Sequence, residues 1–398
     1  MTDSDRRPSA RRPHVLVVGH RVADQVFGAE RSLLEVLDAI DRRAYEVSCV
    51  LPAANASYVS AVARRAGSVS VFPYAWWSLG QPLDENVVAG FASLLRSTRV
   101  DLVHVNTITL MEPLIAARRV GVPSILHARE LITEDPTLAA RLGGDGAAIA
   151  RTVSAAADFI VANSEATLRL YGKDGRSFRL YNGIDVDRFD LSNEPAAGRL
   201  RVGIISSNEP NKGIDDFIRL AVLASRRHPG LAFVVIGPRT PRVVELERMA
   251  REVAPSVNLC VSDYVADPVD AIGRVNVVVS FSLVAESFGR TVVEAMAARR
   301  PVIAYGWGAV PELVRHGVDG FLVPYLDFAS ALDHLVALAD HPERVREMGR
   351  NARRRAARQF SQRMFAARLN EIYDRVMTRS TAAGPSAGTR RTWTASSP

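Results

Sequence analysis

The feature that most constrains the fold is an alternation of short apolar runs with longer amphipathic stretches. It fills the first half of the 398-residue chain and is typical of a parallel sheet with helices on both faces. The predicted strands of this half are HVLVVG (14–19), EVSCVL (46–51), SVSVFP (68–73), DLVHVN (101–106), PSILHA (123–128), DFIVAN (158–163) and SFRLYN (177–182).

The alternation starts again at RVGIIS (201–206), after the Pro-, Gly- and Asn-rich segment DLSNEPAAG (190–198). We therefore predict two doubly wound, Rossmann-like α/β domains whose strands end toward a shared cleft, where open parallel sheets bind ligands. The predicted organisation is a disordered arm (1–12), a first Rossmann-like domain (13–189), a linker (190–199), a second Rossmann-like domain (200–340), C-terminal helices (341–379) with a break at His341-Pro342, and a disordered tail (380–398).

Composition limits the class of protein. No apolar run reaches the roughly 18 residues of a membrane span, and no apolar stretch of a secretory signal precedes the first predicted strand. Cys49 and Cys260 each lie in an apolar run, which predicts buried, reduced thiols rather than a disulfide. We therefore expect a cytoplasmic protein.

Basic residues are almost all arginine, because Lys173 and Lys212 are the two lysines in a chain of net charge +7. Residues 342–375 hold ten arginines and four acidic residues. This excess indicates either a solvated basic face or peripheral contact with an anionic membrane at its inner face. Specific nucleic-acid binding is not expected, because the arginine-rich ends carry no stacking aromatics and no element that could recognise bases.

The segment ESFGRTVVEAMAARRPVIAYGWGAVPELV (286–314) carries the strongest chemical pattern. Phe288-Gly289 predicts a turn that starts a helix near Arg290, so the amides from Gly289 onward would bind a diphosphate at a helix N-terminus. Glu286 and Glu294 would be about 12 Å apart along one helix, too far for a pair of glycosidase carboxylates. We interpret both as acceptors for sugar hydroxyls.

The same segment resembles the Glu-x7-Glu signature of retaining glycosyltransferases of family 4, which have the two-domain GT-B architecture. The resemblance spans roughly residues 14–375. It implies that Glu286 binds a hydroxyl of the donor sugar and that Phe288 and Gly289 present backbone groups to it. It also implies that Thr291 offers its amide to the diphosphate and that Glu294 holds the ribose hydroxyls.

Further segments of the second domain extend the resemblance. Lys212, in SSNEPNKGIDDFI (206–218), matches the lysine that neutralises the leaving diphosphate. Ser207 replaces the family's arginine, so Arg290 or another arginine would have to supply that charge. Tyr264 falls where the family lines the nucleobase, with Asp263 in place of a glycine.

The first domain matches less firmly. Gly28 corresponds to the Gly-Gly-Ala-Glu turn that approaches the phosphates and the acceptor, and Phe27 replaces the first glycine. The resemblance implies that His127, at the end of a predicted strand, faces the donor sugar. Arg129 and Glu130 would either pair with each other or meet the acceptor.

The turn YNGIDVDRF (181–189), with Asn182, resembles the family turn that closes the first domain. Its Asp185-Val186-Asp187 mimics a metal-binding Asp-x-Asp, but the context argues against a metal. The resemblance thus implies a hexosyltransferase with a nucleotide diphosphate-sugar donor, no cofactor and an acceptor that is a glycan, a lipid-linked molecule or a small molecule. A nucleotide-sugar epimerase and a catalytically degenerate binding protein are the alternatives.

Overall fold

The structure is a computed structural model that describes residues 11–20, 28–194 and 200–382. These residues form two compact units. The first contains the described residues up to Asn163, then Thr167–Leu180 and the residues from Ala366 onward. The second contains Ser164–Ala166 and the described part of Tyr181–Phe365. The predicted arm and tail lie outside the described residues except for residues 11–12 and 380–382, and the predicted linker is described only at 190–194.

In its described part, the first unit has a parallel seven-stranded sheet of order β3-β2-β1-β4-β5-β6-β7. The strands are β1 (His14–Val18), β2 (Glu46–Leu51), β3 (Ser68–Val71), β4 (Leu102–Val105), β5 (Ser124–Ala128), β6 (Phe159–Ala162) and β7 (Ser177–Arg179). Every strand lies inside one of the seven predicted runs. The central strands β1, β4, β5 and β6 are buried along their whole length, as a sheet covered on both faces requires.

The helices up to the second unit are α1 (Gly28–Ala39), α2 (Ala56–Ala63), α3 (Glu85–Ser97), α4 (Glu112–Val120), α5 (Pro136–Arg141), α6 (Gly146–Ala156) and α7 (Glu165–Tyr171). Local capping fixes several of their starts. The Asp84 carboxylate accepts from the N–H groups of Asn86 and Val87 at the start of α3, and Asp145 caps α6 in the same way.

The second unit repeats the plan with a described six-stranded parallel sheet of order β10-β9-β8-β11-β12-β13. Its strands are β8 (Arg201–Ile205), β9 (Ala232–Ile236), β10 (Leu259–Ser262), β11 (Val277–Ser280), β12 (Val302–Tyr305) and β13 (Gly320–Val323). In both sheets the strand order reverses beside the first strand. The crevices where such sheets bind ligands are therefore next to β1 and β4 in one unit and β8 and β11 in the other.

The remaining helices are α8 (Ile214–Arg227), α9 (Pro241–Val253), α10 (Pro268–Gly273), α11 (Arg290–Ala297), α12 (Val310–Leu313), α13 (Phe328–Asp340), α14 (Pro342–Gln359) and α15 (Gln362–Ala382). The predicted break at His341-Pro342 is confirmed between α13 and α14. A second break, between α14 and α15, has no proline signal and was not predicted. No helix of the described residues is both long and apolar enough to cross a membrane.

The prediction of two buried thiols is correct for Cys49 and wrong for Cys260, which is exposed. Cys49 lies on β2, inside the sheet. Cys260 lies on β10, the edge strand of the second sheet, where alternate side chains face solvent. An apolar run in the sequence does not distinguish an edge strand from a central one.

Candidate functional site

A cavity of about 260 Å³ lies in the second unit at the carboxyl ends of β8 and β11, beside the first turn of α11. We call it the α11 cavity. It occupies the crevice where the order of the second sheet reverses. Its lining residues are Ile204, Ile205, Ser206, Ser207, Lys212, Val279, Ser280, Ser282, Glu286, Gly289, Arg290, Thr291 and Val292. Six residues singled out from the sequence, Ser207, Lys212, Glu286, Gly289, Arg290 and Thr291, are thus brought together.

An ion pair forms part of the cavity wall. Lys212 Nζ lies 2.8 Å from Glu286 Oε1, although the two residues are 74 positions apart in the chain. Lys212 ends a short 3₁₀ turn, and Gly213 follows it with φ at 72°. A Cβ on Gly213 would lie 1.9 Å from the Phe281 carbonyl oxygen, so only glycine allows this close approach. The turn therefore holds the ammonium group of Lys212 at the cavity.

The predicted helix start is confirmed, because α11 begins at Arg290. Gly289 precedes it in the left-handed region with φ at 93°, and its carbonyl accepts the N–H of Val293. The first N–H groups of an α-helix have no acceptor within the helix, and the helix dipole is positive there. The Glu286 carbonyl accepts the N–H of Ala309 at 2.9 Å, which fixes the loop before α11.

Glu294 and Phe288 lie deeper than the cavity wall. Glu294 is 5% exposed, one turn into α11. The Phe288 ring is 2% exposed and contacts the rings of Tyr181 and Phe360. The side chain of Phe288 is therefore part of the core.

The α11 cavity presents two cations, one carboxylate and serine hydroxyls. Ser206 follows β8 and Ser280 ends β11, and sequence reasoning did not single out Ser206, Ser280 or Ser282. The Ser206 hydroxyl donates to Asn208 Oδ1 at 2.9 Å, and Asn208 Nδ2 donates to the Pro238 carbonyl at 3.0 Å. This set suits an anion that also carries hydroxyl groups.

The first unit has a buried polar cluster at the carboxyl ends of its own central strands, which we call the β5 cluster. His127, on β5, is 0% exposed. Its Nδ1 lies 3.2 Å from Nε2 of His104, whose Nδ1 lies 2.6 Å from the Tyr373 hydroxyl. Burial lowers the pKa of His104 to about 3 and, with the cation of Arg129 nearby, lowers the pKa of His127 well below 6.5. Both imidazoles are therefore neutral at pH 7.

Arg129 also contacts the His127 ring. Burial raises the pKa of Tyr373 well above 10, so its hydroxyl is protonated where it meets His104 Nδ1. Arg129 Nη1 lies 3.3 Å from His127 Nε2 and 3.4 Å from His127 Nδ1. A guanidinium group has donors and no acceptor, so Arg129 meets the His127 ring as a donor.

Arg129 and Glu130 complete the β5 cluster. The Glu130 carboxylate accepts from the Arg129 N–H and from the Thr107 hydroxyl, each at 2.9 Å, and burial raises its pKa. Among the described residues, the buried Asn106 Nδ2 and His20 Nδ1 have no hydrogen-bond partner. These two residues follow β4 and β1, so the crevice of the first sheet also offers polar groups to a ligand.

Three other residues predicted from the sequence, Tyr264, Asn182 and Gly28, do not line the α11 cavity. Tyr264 is 63% exposed after β10, and Asn182 is buried. Gly28 is the first residue of α1, while Phe27 lies outside the described residues. Among the residues that the structure describes, no group of three or more His, Cys, Asp or Glu could hold a metal ion.

Comparisons with known proteins bear on both units. A family described as "Glycosyl transferases group 1" matches residues 188–355, and one described as "Glycosyl transferase 4-like domain" matches residues 27–179. D-inositol 3-phosphate glycosyltransferase 2 of Catenulispora acidiphila is 31% identical over 66% of this chain and 67% of its own. D-inositol 3-phosphate glycosyltransferase of Saccharomonospora viridis is 31% identical over 56% of this chain and 57% of its own.

Solved structures share the fold. HepE of Anabaena in complex with UDP superposes with a TM-score of 0.74 at 21% identity, over 92% of this chain and 100% of that one. The complex of HepE with UDP-glucose gives a TM-score of 0.71 at 20% identity, over 91% of this chain and 99% of that one. The lipopolysaccharide outer core galactosyltransferase WaaB gives 0.70 at 14% identity, over 91% and 99%.

Proposed function

Because the chain belongs to the family 4 type glycosyltransferases, the glycosyl transferases group 1, we propose that it transfers a sugar with retention from a nucleotide diphosphate-sugar to an acceptor hydroxyl. The observation that carries this proposal is the meeting of Lys212, Glu286 and the start of α11 in one cavity. These groups come from separate parts of the chain, and each is suited to a different part of such a donor.

The donor's diphosphate would lie against the first N–H groups of α11, with the charges of Lys212 and Arg290 nearby. Glu286 would accept from a sugar hydroxyl and Glu294 from the ribose. Arg290 lines the cavity and is our candidate for the charge missing at Ser207. HepE, which shares the fold, binds UDP and UDP-glucose, so UDP-sugars are the first donors to test.

In the proposed reaction, negative charge develops on the departing diphosphate. Fixed dipoles and cations that already point at this charge lower the barrier without having to reorganise. The acceptor hydroxyl attacks the sugar from the same face, and the departing phosphate takes its proton. His127 is our candidate in the first unit for a hydrogen bond to the substrate. No metal ion or other cofactor takes part in this scheme.

The acceptor remains defined only as a hydroxyl-bearing molecule. We also propose peripheral contact with anionic membranes, supported by the arginine excess of α14 and α15. Flotation with vesicles of phosphatidylglycerol, compared with phosphatidylcholine, tests this part. Equal recovery of the protein from both vesicles would contradict it.

The donor is tested first by thermal shift with a panel of nucleotide-sugars, because a ligand that binds the folded state raises the melting temperature. We expect at least one nucleotide diphosphate-sugar to stabilise the protein and to release its nucleoside diphosphate when acceptors are added. Activity should survive excess EDTA, and the anomeric configuration of the product, measured by NMR, should match that of the donor.

The same experiment separates the alternatives. An epimerase would convert the nucleotide-sugar without an acceptor and release no nucleoside diphosphate. A degenerate binding protein would be stabilised by the donor and would not turn it over. Inversion at the anomeric carbon would refute retention while leaving glycosyl transfer intact.

A further inference from the structure

A second cavity, of about 340 Å³, lies in the second unit between the loop after α12 and one face of α14. We call it the arginine cavity. Its lining residues are Arg315, Val318, Asn351, Arg354, Arg355, Arg358 and Gln359. None of them lines the α11 cavity. Its volume is at the lower end of the range of about 300–1,000 Å³ found for ligand pockets.

Helical spacing explains why the charges are concentrated. Asn351, Arg354, Arg355 and Arg358 are spaced three and four residues apart, so they share one face of α14. Like charges at this spacing repel each other and destabilise a helix. Arg346, on the same helix, instead lies 3.6 Å from the carboxylate of Glu194.

One carboxylate lies near two of the four guanidinium groups. Asp319 has a fully buried side chain and forms two 2.7 Å hydrogen bonds with Arg315, through Nε and Nη2. Arg355 Nε lies 3.8 Å from the same carboxylate. The cavity therefore keeps a clear excess of positive charge after this pairing.

Hydrogen bonds hold three of the arginines in place and leave donors unused. Arg354 donates from Nη2 to Asn351 Oδ1. Arg355 donates from Nε to the Leu313 carbonyl at 2.6 Å and from Nη2 to the Glu312 carbonyl at 2.7 Å. Its Nη1 group forms no hydrogen bond with the described residues. Arg315 likewise keeps Nη1. Within the described part of the chain, Arg358 forms no hydrogen bond or ion pair. Fixed guanidinium groups lose little conformational freedom when they bind an anion.

We propose that the arginine cavity binds the phosphate group of a phosphate monoester or diester. Guanidinium groups match the geometry of phosphate oxygens and form charge-assisted hydrogen bonds with them. A phosphate would also remove the repulsion along α14. The chemistry is shared by free phosphate compounds and by lipid headgroups. Phosphate binding at this site does not depend on glycosyl transfer. Only binding of a lipid headgroup phosphate rests on the membrane contact proposed above.

The test is titration calorimetry of the full chain with inorganic phosphate. The Arg354→Gln/Arg358→Gln double variant should bind phosphate about tenfold or more weakly, because it loses two charged donors. Arg350→Gln, at an exposed position on α14 outside the cavity, is the matched control and should bind as the wild type does. Lys212→Ala, in the α11 cavity, should keep this binding event.

Two results would overturn the site. One is undiminished phosphate binding in the double variant, and the other is loss of all phosphate binding in Lys212→Ala, which would place the ion in the α11 cavity. Flotation with phosphatidic acid vesicles then identifies the source of the phosphate. Loss of vesicle binding in the double variant assigns a lipid headgroup, while unchanged flotation together with weakened phosphate binding assigns a free phosphate compound.

Discussion

At the scale of single residues, the Lys212–Glu286 pair should contribute much to activity and little to the stability of the fold. Both side chains are about one third exposed, at 31% and 29%, and an ion pair this open contributes about 1 kcal/mol or less to folding. We expect Lys212→Gln and Glu286→Gln each to lower kcat/KM by about a hundredfold or more, because each removes a preorganised charge. Their melting temperatures should stay within a few degrees of the wild type.

Kinetics of donor consumption and thermal denaturation check this split. Arg242→Gln is the control, since Arg242 pairs with Asp215 and Glu245 at the surface of the same unit. Arg242→Gln should change neither kcat/KM nor the melting temperature by much. Normal turnover in Lys212→Gln would count against the role of the lysine.

Glu294 gives a second residue-scale prediction. Loss of a charged hydrogen-bonding group costs roughly 1.5 to 3 kcal/mol, so Glu294→Ala should lower kcat/KM for the donor by about ten- to more than a hundredfold. Glu347→Ala, at an exposed position of α14, should leave it unchanged. If both variants consume the donor at the wild-type rate, the ribose role assigned to Glu294 is wrong.

The buried histidines predict how stability depends on pH. His104 has a pKa of about 3 in the folded chain against 6.5 when unfolded, and the pKa of His127 is also lowered. Below pH 6.5 the unfolded chain binds protons that the folded chain does not, so stability falls as the pH falls. From pH 6.5 to 5.5 His104 alone should remove about 1 kcal/mol, and His127 should add to this loss.

Denaturant midpoints measured across this pH range test the effect. His104→Gln should make the pH dependence less steep, because one buried histidine with a lowered pKa is gone. His341→Gln, which changes an exposed histidine, should leave the slope as it is. An unaltered slope in His104→Gln would show that other groups cause the pH dependence.

At the scale of elements, the 3₁₀ turn before α8 depends on one glycine. Gly213 and Gly317 both have positive φ, at 72° and 76°, but a Cβ on Gly213 would clash with the Phe281 carbonyl, whereas a Cβ on Gly317 would meet nothing within 4 Å. Gly317→Ala should therefore cost about 1 kcal/mol from the backbone alone. Gly213→Ala should cost clearly more and also lower activity by displacing Lys212.

Chemical denaturation of the two variants makes the comparison direct, since the backbone strain is common to both. Equal losses of stability would mean that the loop near Phe281 relaxes and that the close approach is unimportant. A Gly213→Ala variant with full activity would show that the turn does not position Lys212.

Elements were more predictable than contacts. Val- and Ile-rich runs located the strands, and Phe288-Gly289 located the start of α11, because these signals are local. The partners of His127 could not be predicted, since His104 is 23 residues away and Tyr373 lies a further 269 from His104. Serines such as Ser206 carry no distinctive pattern, and only the strand order brings them to the α11 cavity.

At the scale of the whole molecule, α15 completes the first unit from the far end of the chain. Asn370 Nδ2 donates to the Ala39 carbonyl at 2.9 Å, and the Tyr373 ring packs edge-on against Tyr45 at 5.6 Å. Tyr45 also donates a hydrogen bond to Asp374. Leu369 and Tyr373 are fully buried. Helical periodicity alone could not show which unit this helix joins.

Deleting residues 366–398 should therefore destabilise the first unit selectively. Hydrogen exchange followed by mass spectrometry should show faster exchange in β1, β4 and α1, with β8 and β11 protected as before. Deletion of residues 383–398 leaves α15 whole and serves as the control. Exchange that rises equally in both units, or in neither, would contradict the prediction.

The position of α15 has a consequence for synthesis on the ribosome. The strands of the first unit are complete at Arg179, but Tyr373 and its neighbours emerge only after nearly two hundred more residues. At translation rates of about 5–20 residues per second, this delay is about 10 to 40 s. The nascent N-terminal half spends that time with the apolar surface around Tyr45 uncovered, and exposed apolar surface of this kind is what chaperones bind.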